Sequence, residues 1–236
     1  MDRYGKLHQQ RMRTFINEVT IYPVSCERLA AGRSDGEWLE AVLTGGARIV
    51  QLRDKESDDR TLYEKAVLFR RKTAAAGALF IVNNRIDIAM LAGADGVHLG
   101  NSDLPVAEAR KICPDLIIGV SCNTEEQAAT AAGRGASYFN IGPLFPTETK
   151  GGLSSFLGPE AISRFAARSG LPFTVMGGIK FHHIPELVGL GATRIAVVTA
   201  LTGADNIARE TEKWRTAMAN ARSRQLNEER RHADSG

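Results

Sequence analysis

The chain has 236 residues, 43% of them hydrophobic and 24% charged, a composition suited to a globular protein with one large core. A net charge of +3 and 6% aromatic residues provide neither a basic stripe nor a stacking platform, which argues against nucleic acid as a partner. No apolar run approaches ~18 residues, residues 1–17 lack the apolar centre of a secretory signal, and Cys26, Cys113 and Cys122 show no metal-ligand spacing, so the expectation is a cytoplasmic protein with reduced thiols and no membrane partner.

From about residue 18 the chain alternates strand-like and helix-like runs. The strands are expected at 19–25, 48–52, 79–83, 96–99, 116–120, 138–141, 173–176 and 194–198. Helical stretches are expected between them at 58–76, 105–112, 124–132, 159–167 and 184–189, with Thr124 as an N-cap. The strands are apolar on both faces, as in parallel strands covered by helices on one side and packed on the other. Eight βα units predict a single α/β domain, a (β/α)8 TIM barrel, with a doubly wound open sheet as the less favoured alternative. Gly-Ala precedes strands two, four, six and eight, at Gly46, Gly93, Gly135 and Gly191. These glycines read as left-handed helix ends at the barrel floor, which places any chemistry at the opposite ends of the strands. The barrel is expected over 18–219. An extension at 1–17 can reach the barrel bottom through Phe15 and Ile16, and a charged tail at 220–236 is either a solvated helix or frayed.

At the C-terminal end of strand two, alternation puts Gln51, Arg53 and Lys55 on one side with Leu52 opposite. Two cations and an amide there suit a phosphate and a heterocycle edge; the alternative is a loop salt-bridged to Asp54, Glu56, Asp58 and Asp59. Strand three ends in Asn83-Asn84-Arg85, and strand four ends in His98-Leu99 and passes through Gly100-Asn101-Ser102 to Asp103, where a cation could bind. A lone histidine such as His98 is commonly structural. Ser121 and Cys122 end strand five; Ser121 has no evident triad partner and Cys122 reads as a packed thiol, so neither is taken as a nucleophile. After strand six, Asn140 to Lys150 forms a loop stiffened by Pro143 and Pro146 and carrying Thr147, Thr149 and Lys150, donors suited to an anionic ligand, phosphate first. The segment following strand seven contains Gly177-Gly178, and strand eight ends in Val198-Thr199. The loops after strands seven and eight form the recurring phosphate site of this fold.

In this order, Gln-Leu-Arg-Asp-Lys (51–55), Asn-Asn-Arg-Ile-Asp-Ile-Ala (83–89), Gly-Ala-Asp-Gly-Val-His-Leu-Gly with Asp103, Gly-Val-Ser (119–121), Gly-Pro-Leu-Phe-Pro-Thr-Glu-Thr-Lys (142–150), Gly-Gly-Ile (177–179) and Val-Val-Thr (197–199) resemble the thiamine-phosphate synthases over most of the chain. The resemblance implies a transferase that couples 4-amino-2-methyl-5-(diphosphooxymethyl)pyrimidine to hydroxyethylthiazole phosphate, releasing pyrophosphate. It implies that Gln51, Leu52, Arg53, Asp54, Lys55, Asn83, His98, Ser121 and Lys150 form the pyrimidine diphosphate site, with Arg53, Ser121 and Lys150 catalytic. Thr147, Glu148, Thr149, Gly178, Val198 and Thr199 would seat the thiazole phosphate, and Asn84 with Asp103 would hold Mg2+ as cofactor. Asn84 departs from the family, which usually has Asp there, and Thr199 stands where Ser is common. The implied partners are two small phosphorylated substrates, with a homo-oligomer left open. Two lesser alternatives are a thiazole tautomerase of the same fold, disfavoured by the retained cations and by Asn123 after strand five, and an inactive binding homologue, to which only Asn84 points.

Overall fold

The computed structural model describes residues 4–147 and 155–233. A helix, α1 (Lys6–Glu18), precedes the first strand. Eight strands follow: β1 (Ile21–Pro23), β2 (Ile49–Leu52), β3 (Leu79–Asn83), β4 (Gly96–Leu99), β5 (Ile117–Cys122), β6 (Tyr138–Ile141), β7 (Phe173–Val175) and β8 (Ile195–Val197). Between them run α2 (Asp35–Thr44), α3 (Asp59–Ala75), α4 (Ile86–Leu91), α5 (Val106–Ile112), α6 (Glu125–Arg134), α7 (Ala161–Ala166) and α8 (Ile184–Gly189), one after each strand from β1 to β7. After β8 come the short α9 (Thr199–Thr202) and the long α10 (Ile207–Ala233).

All neighbouring strands are parallel, and β1 pairs with β8. A Val24–Gln51 bridge, with Ser25 N donating to Gln51 O at 2.9 Å, joins β1 to β2 and brings the sheet round on itself. The expected barrel is the observed one, and the open sheet is not. Its two apolar layers separate by strand alternation. Leu52, Val82, Leu99, Val120, Phe139 and Val175 pack under the helices, whereas Tyr22, Ile49, Ile81, Ile117, Tyr138 and Ala196 fill the barrel interior.

The Gly-Ala joints behave as expected, and there is a fifth at Gly77-Ala78 ahead of β3. Gly46, Gly77, Gly93, Gly135 and Gly191 all have positive φ. In each, the following alanine N–H reaches back to the last helical turn, as in Ala94 N to Ala89 O at 2.8 Å, the bond of a Schellman close. Thr124 caps α6 as expected, reciprocally with Gln127. Helix α2 was legible in the same terms but not anticipated: Ser34 and Glu37 form a capping box at its start.

The N-terminal extension packs across the barrel floor. Phe15 is fully buried, its ring 4.6 Å from that of Tyr138, while Ile16 remains exposed. Buried Arg194 donates to the carbonyls of Phe15 and Ile16, and Arg11 pairs with Asp95 at 3.0 Å. At the other terminus α10 buries Trp214 and Met218 and then runs on as helix to Ala233, so the charged tail takes the helical of its two expected forms as far as that residue.

Candidate active site

The inward-facing positions nearest the strand ends open into one cavity of about 480 Å³. Tyr22, Gln51, Asn83, His98, Ser121, Asn140 and Thr174 line it from β1 to β7, and Ala196 from β8. Its rim carries Arg53, Lys55, Asn84, Asp103, Asn123, Thr147, Gly178, Val198 and Thr199. Residues separated by up to 177 positions are thereby gathered at one mouth, because every βα unit delivers its strand end to the same side of the barrel. Among the described lining residues the charged side chains are Arg53, Lys55 and Asp103, so the described mouth is net cationic and suits anions.

Two residues expected in the pyrimidine diphosphate site face elsewhere. Leu52 is buried in the layer beneath the helices. Asp54 turns away from the cavity: its Oδ1 accepts from Glu56 N and Ser57 N at 2.9 and 3.0 Å, and its Oδ2 from Ser57 Oγ and Lys65 Nζ at 2.6 and 2.7 Å. Burial works against this carboxylate, but the bonds from Lys65 and Ser57 outweigh it and hold Asp54 well below the usual carboxylate range. Lys65 also pairs with Glu27 and with buried Asp35. The three carboxylates are close enough to suggest a metal site, yet their common centre is taken by this ammonium. The cluster braces the loop from which Arg53 and Lys55 project, and Ser25 Oγ accepts from Arg53 N at 3.0 Å on its other side.

Asn84 adopts a left-handed φ of 65°, which asparagine tolerates better than most residues. Its N–H donates to His98 O at 2.8 Å, and its Nδ2 donates to Asp103 Oδ1 at 2.9 Å. Asp103 Oδ2 accepts from Gly100 N at 2.6 Å. One carboxylate and one amide thus stand side by side at the cavity edge, hard oxygen donors of the kind Mg2+ takes.

Opposite them, the loop after β6 begins with a cis Gly142-Pro143 peptide and folds over the segment after β7. Leu144 N and Phe145 N donate to Met176 O and Gly177 O, each at 3.0 Å. Gly177 and Gly178 have φ of 102° and 65°, and a Cβ on Gly178 would lie 2.2 Å from Pro146 O. The glycines therefore admit the neighbouring loop as well as any ligand. Of the donors on that loop Thr147 reaches the cavity rim; Glu148, Thr149 and Lys150 lie outside the described residues.

Across the floor runs a chain of hydrogen bonds of which only Gln51, His98 and Ser121 had been anticipated. Gln51 Nε2 donates to the Tyr22 hydroxyl at 2.9 Å, the Tyr22 and Tyr138 hydroxyls are 3.1 Å apart, Tyr138 meets His98 Nδ1 at 2.9 Å, and His98 Nε2 meets Ser121 Oγ at 3.1 Å. Burial lowers the His98 pKa to about 4, so the ring is neutral at physiological pH. Ser121 thus has a histidine partner after all. The third member is a phenol rather than a carboxylate, however, so nothing is placed to stabilise an imidazolium, and the dyad makes a poor nucleophile. Cys122 faces the helical layer and burial pushes its thiol up to about 12, so it stays protonated. Tyr22 and Tyr138 escaped sequence reasoning because both sit inside apolar runs; their signal was a hydroxyl at an inward-facing register.

Residues 21–201 match the profile of a family described as thiamine monophosphate synthase. The chain is 38% identical over 194 residues to a thiamine-phosphate synthase of Caldicellulosiruptor saccharolyticus, covering 82% of this chain and 88% of that one. It is 41% identical over 203 residues to a thiamine-phosphate synthase of Haloquadratum walsbyi, covering 85% and 91%. Among solved structures it resembles a thiamine phosphate pyrophosphorylase from Pyrococcus furiosus, with a TM-score of 0.81, 32% identity and coverage of 88% of this chain and 98% of that one.

Proposed function

The chain belongs to the thiamine monophosphate synthase family, and on that premise we propose how its cavity performs the family reaction, the coupling of 4-amino-2-methyl-5-(diphosphooxymethyl)pyrimidine to hydroxyethylthiazole phosphate with release of pyrophosphate. The observation that carries the reading is the convergence of Arg53, Lys55, Asn84, Asp103, Ser121, Thr147, Gly178 and Thr199 on one cavity. The pyrimidine sits over the floor formed by Gln51, Asn83 and His98, with its diphosphate toward Arg53, Lys55, Ser121 and Lys150. The thiazole phosphate lies across the mouth against Thr147, Glu148, Thr149, Gly178, Val198 and Thr199. Leu52 and Asp54 act from outside the cavity: Leu52 seats β2 under the helices, and Asp54 with Lys65 holds the loop bearing Arg53.

The chemistry follows from what these groups stabilise. The bond between the pyrimidine methylene and its diphosphate oxygen breaks, and the thiazole nitrogen captures the resulting cation. Arg53, Lys150 and the Ser121 hydroxyl offset charge growing on the departing oxygen. Holding both phosphates fixes the nitrogen in line with the carbon. No protein nucleophile is needed, in keeping with the neutral His98–Ser121 pair and the protonated Cys122. The donors on Asn84 and Asp103 fit a hard divalent ion, and bound Mg2+ would supply further charge neutralisation at the diphosphate. The three cysteines are free and buried, compatible with a cytoplasmic setting. Among the described residues no helix is long and apolar enough to cross a membrane.

The test is a coupling assay with both precursors on EDTA-treated protein, with and without added Mg2+. Thiamine phosphate and pyrophosphate should appear only with the metal. Metal-independent turnover would remove the role given to Asn84 and Asp103. Isomerisation of a thiazole phosphate tautomer alone, or binding without product, would point to the tautomerase or the inactive homologue; neither draws support from the relatives above.

A further inference from the structure

The hydrogen-bond chain beneath the cavity has a direction. Gln51 Nε2 donates to the Tyr22 hydroxyl at 2.9 Å, so the Tyr22 proton is free to point onward to Tyr138, 3.1 Å away. Tyr22 is 1% exposed and Tyr138 fully buried, and burial raises both phenols above their ordinary pKa, so each keeps its one proton to give. A Tyr138 hydroxyl that accepts from Tyr22 has its own proton left for His98 Nδ1, which lies 2.9 Å away. A neutral imidazole that accepts at Nδ1 carries its proton on Nε2, and that proton goes to Ser121 Oγ at 3.1 Å. The Ser121 oxygen is then an acceptor toward His98, which leaves its own proton for the cavity it lines.

The fold makes room for this arrangement. Gly119 is paired in register with Tyr138, and a Cβ there would lie 2.1 Å from Tyr138 Cζ and 2.3 Å from its hydroxyl. From below, the Phe15 ring of α1 packs 4.6 Å from the same phenol. Tyr138 is thus held between a strand with no side chain to displace it and the helix that plugs the barrel.

We propose that Tyr138 is a positioning residue that, by donating to His98 Nδ1, fixes the Nε2–H tautomer and turns the Ser121 hydroxyl proton into the cavity, toward the oxygens of a bound diphosphate. This rests on the reading of Ser121 as a diphosphate contact. It also gives the His98–Ser121 pair a polarity opposite to that of a serine nucleophile, whose histidine must accept rather than donate.

The tautomer is read by ¹⁵N NMR on ligand-free protein labelled at histidine, with the His98 signals assigned against His98→Gln. The expected result is one neutral ring protonated at Nε2; an Nδ1–H ring overturns the proposal without any kinetic measurement, and does so even where Tyr138→Phe fails to fold. The kinetic test compares Tyr138→Phe, Ser121→Ala and the double variant. Tyr138→Phe should lower kcat/KM about tenfold, and the double variant should fall no further than Ser121→Ala, because the phenol acts through the serine. Losses that simply multiply would mark Tyr138 as a packing residue and overturn the assignment. An Nε2–H ring together with fully active Ser121→Ala would leave the hydrogen-bond chain standing and withdraw the diphosphate role of Ser121.

Discussion

Asn84 shows how one side chain can alter a site without altering its shape. Its amide lies 2.9 Å from Asp103 Oδ1, where a second carboxylate would meet like charge in the absence of a cation. With Asn84 the pair is neutral on one side and hydrogen-bonded, so the proposed Mg2+ site would offer a divalent ion one formal negative charge of its own. Ligand charge count tunes the affinity of such oxygen sites. Asn84→Asp should therefore bind Mn2+ more tightly in the absence of any substrate, by about tenfold or ~1.4 kcal/mol, as read by EPR of free Mn2+. Equal affinity in the two proteins would take position 84 out of the metal site.

Two left-handed glycines separate the cost of backbone conformation from the cost of crowding. Gly191 ends α8 with φ of 100°, and a methyl added there would meet nothing within 4 Å, whereas Gly178 has φ of 65° and would place that methyl 2.2 Å from Pro146 O. Alanine at 191 should cost only the left-handed penalty, roughly 1–2 kcal/mol. Alanine at 178 adds displacement of the loop that carries Thr147, so Gly178→Ala should raise KM for the thiazole phosphate well above that for the pyrimidine diphosphate. Gly191→Ala should leave both values near those of the parent protein. Equal effects on the two substrates would mean that this loop does not belong to the thiazole phosphate site. The repeated Gly-Ala joints work at the same level: each ends a helix and turns the chain into the next strand, keeping the floor compact while the opposite loops vary.

Across the whole molecule, two buried histidines link stability to pH. Burial lowers His98 to about 4, and burial followed by the nearby Arg110 lowers His8 to about 4 from the ordinary 6.5. At the floor, Ser137 Oγ accepts from Ile118 N and Arg110 Nη2, which leaves its proton for His8 Nε2 at 2.9 Å. Between about pH 4 and 6.5 the unfolded chain binds more protons at these rings than the native one does, so stability is complete above 6.5 and falls as the pH drops through that window. Urea unfolding at pH 5 should show a loss of roughly 2 kcal/mol per histidine relative to pH 7, and His8→Gln should flatten the profile by about half. A pH-independent midpoint over that range would contradict the neutral, buried state of both rings.

The barrel, its eight strands and the end of it that bears chemistry follow from periodicity and punctuation, because apolar strand runs and Gly-Ala joints act over a few neighbouring residues. The polar strand ends at Arg53 and Lys55, at Asn84 and at Asp103 were legible for the same reason, whereas the pairing of Asn84 with Asp103 came only from the family resemblance. Spatial folding alone decided what touches what. It turned Asp54 from the cavity to Lys65, drew α1 across the floor to meet Arg194, and joined Tyr22, Tyr138, His98 and Ser121 into one chain from four separate strands. Contacts between distant segments depend on barrel closure and register, which no local stretch of chain contains.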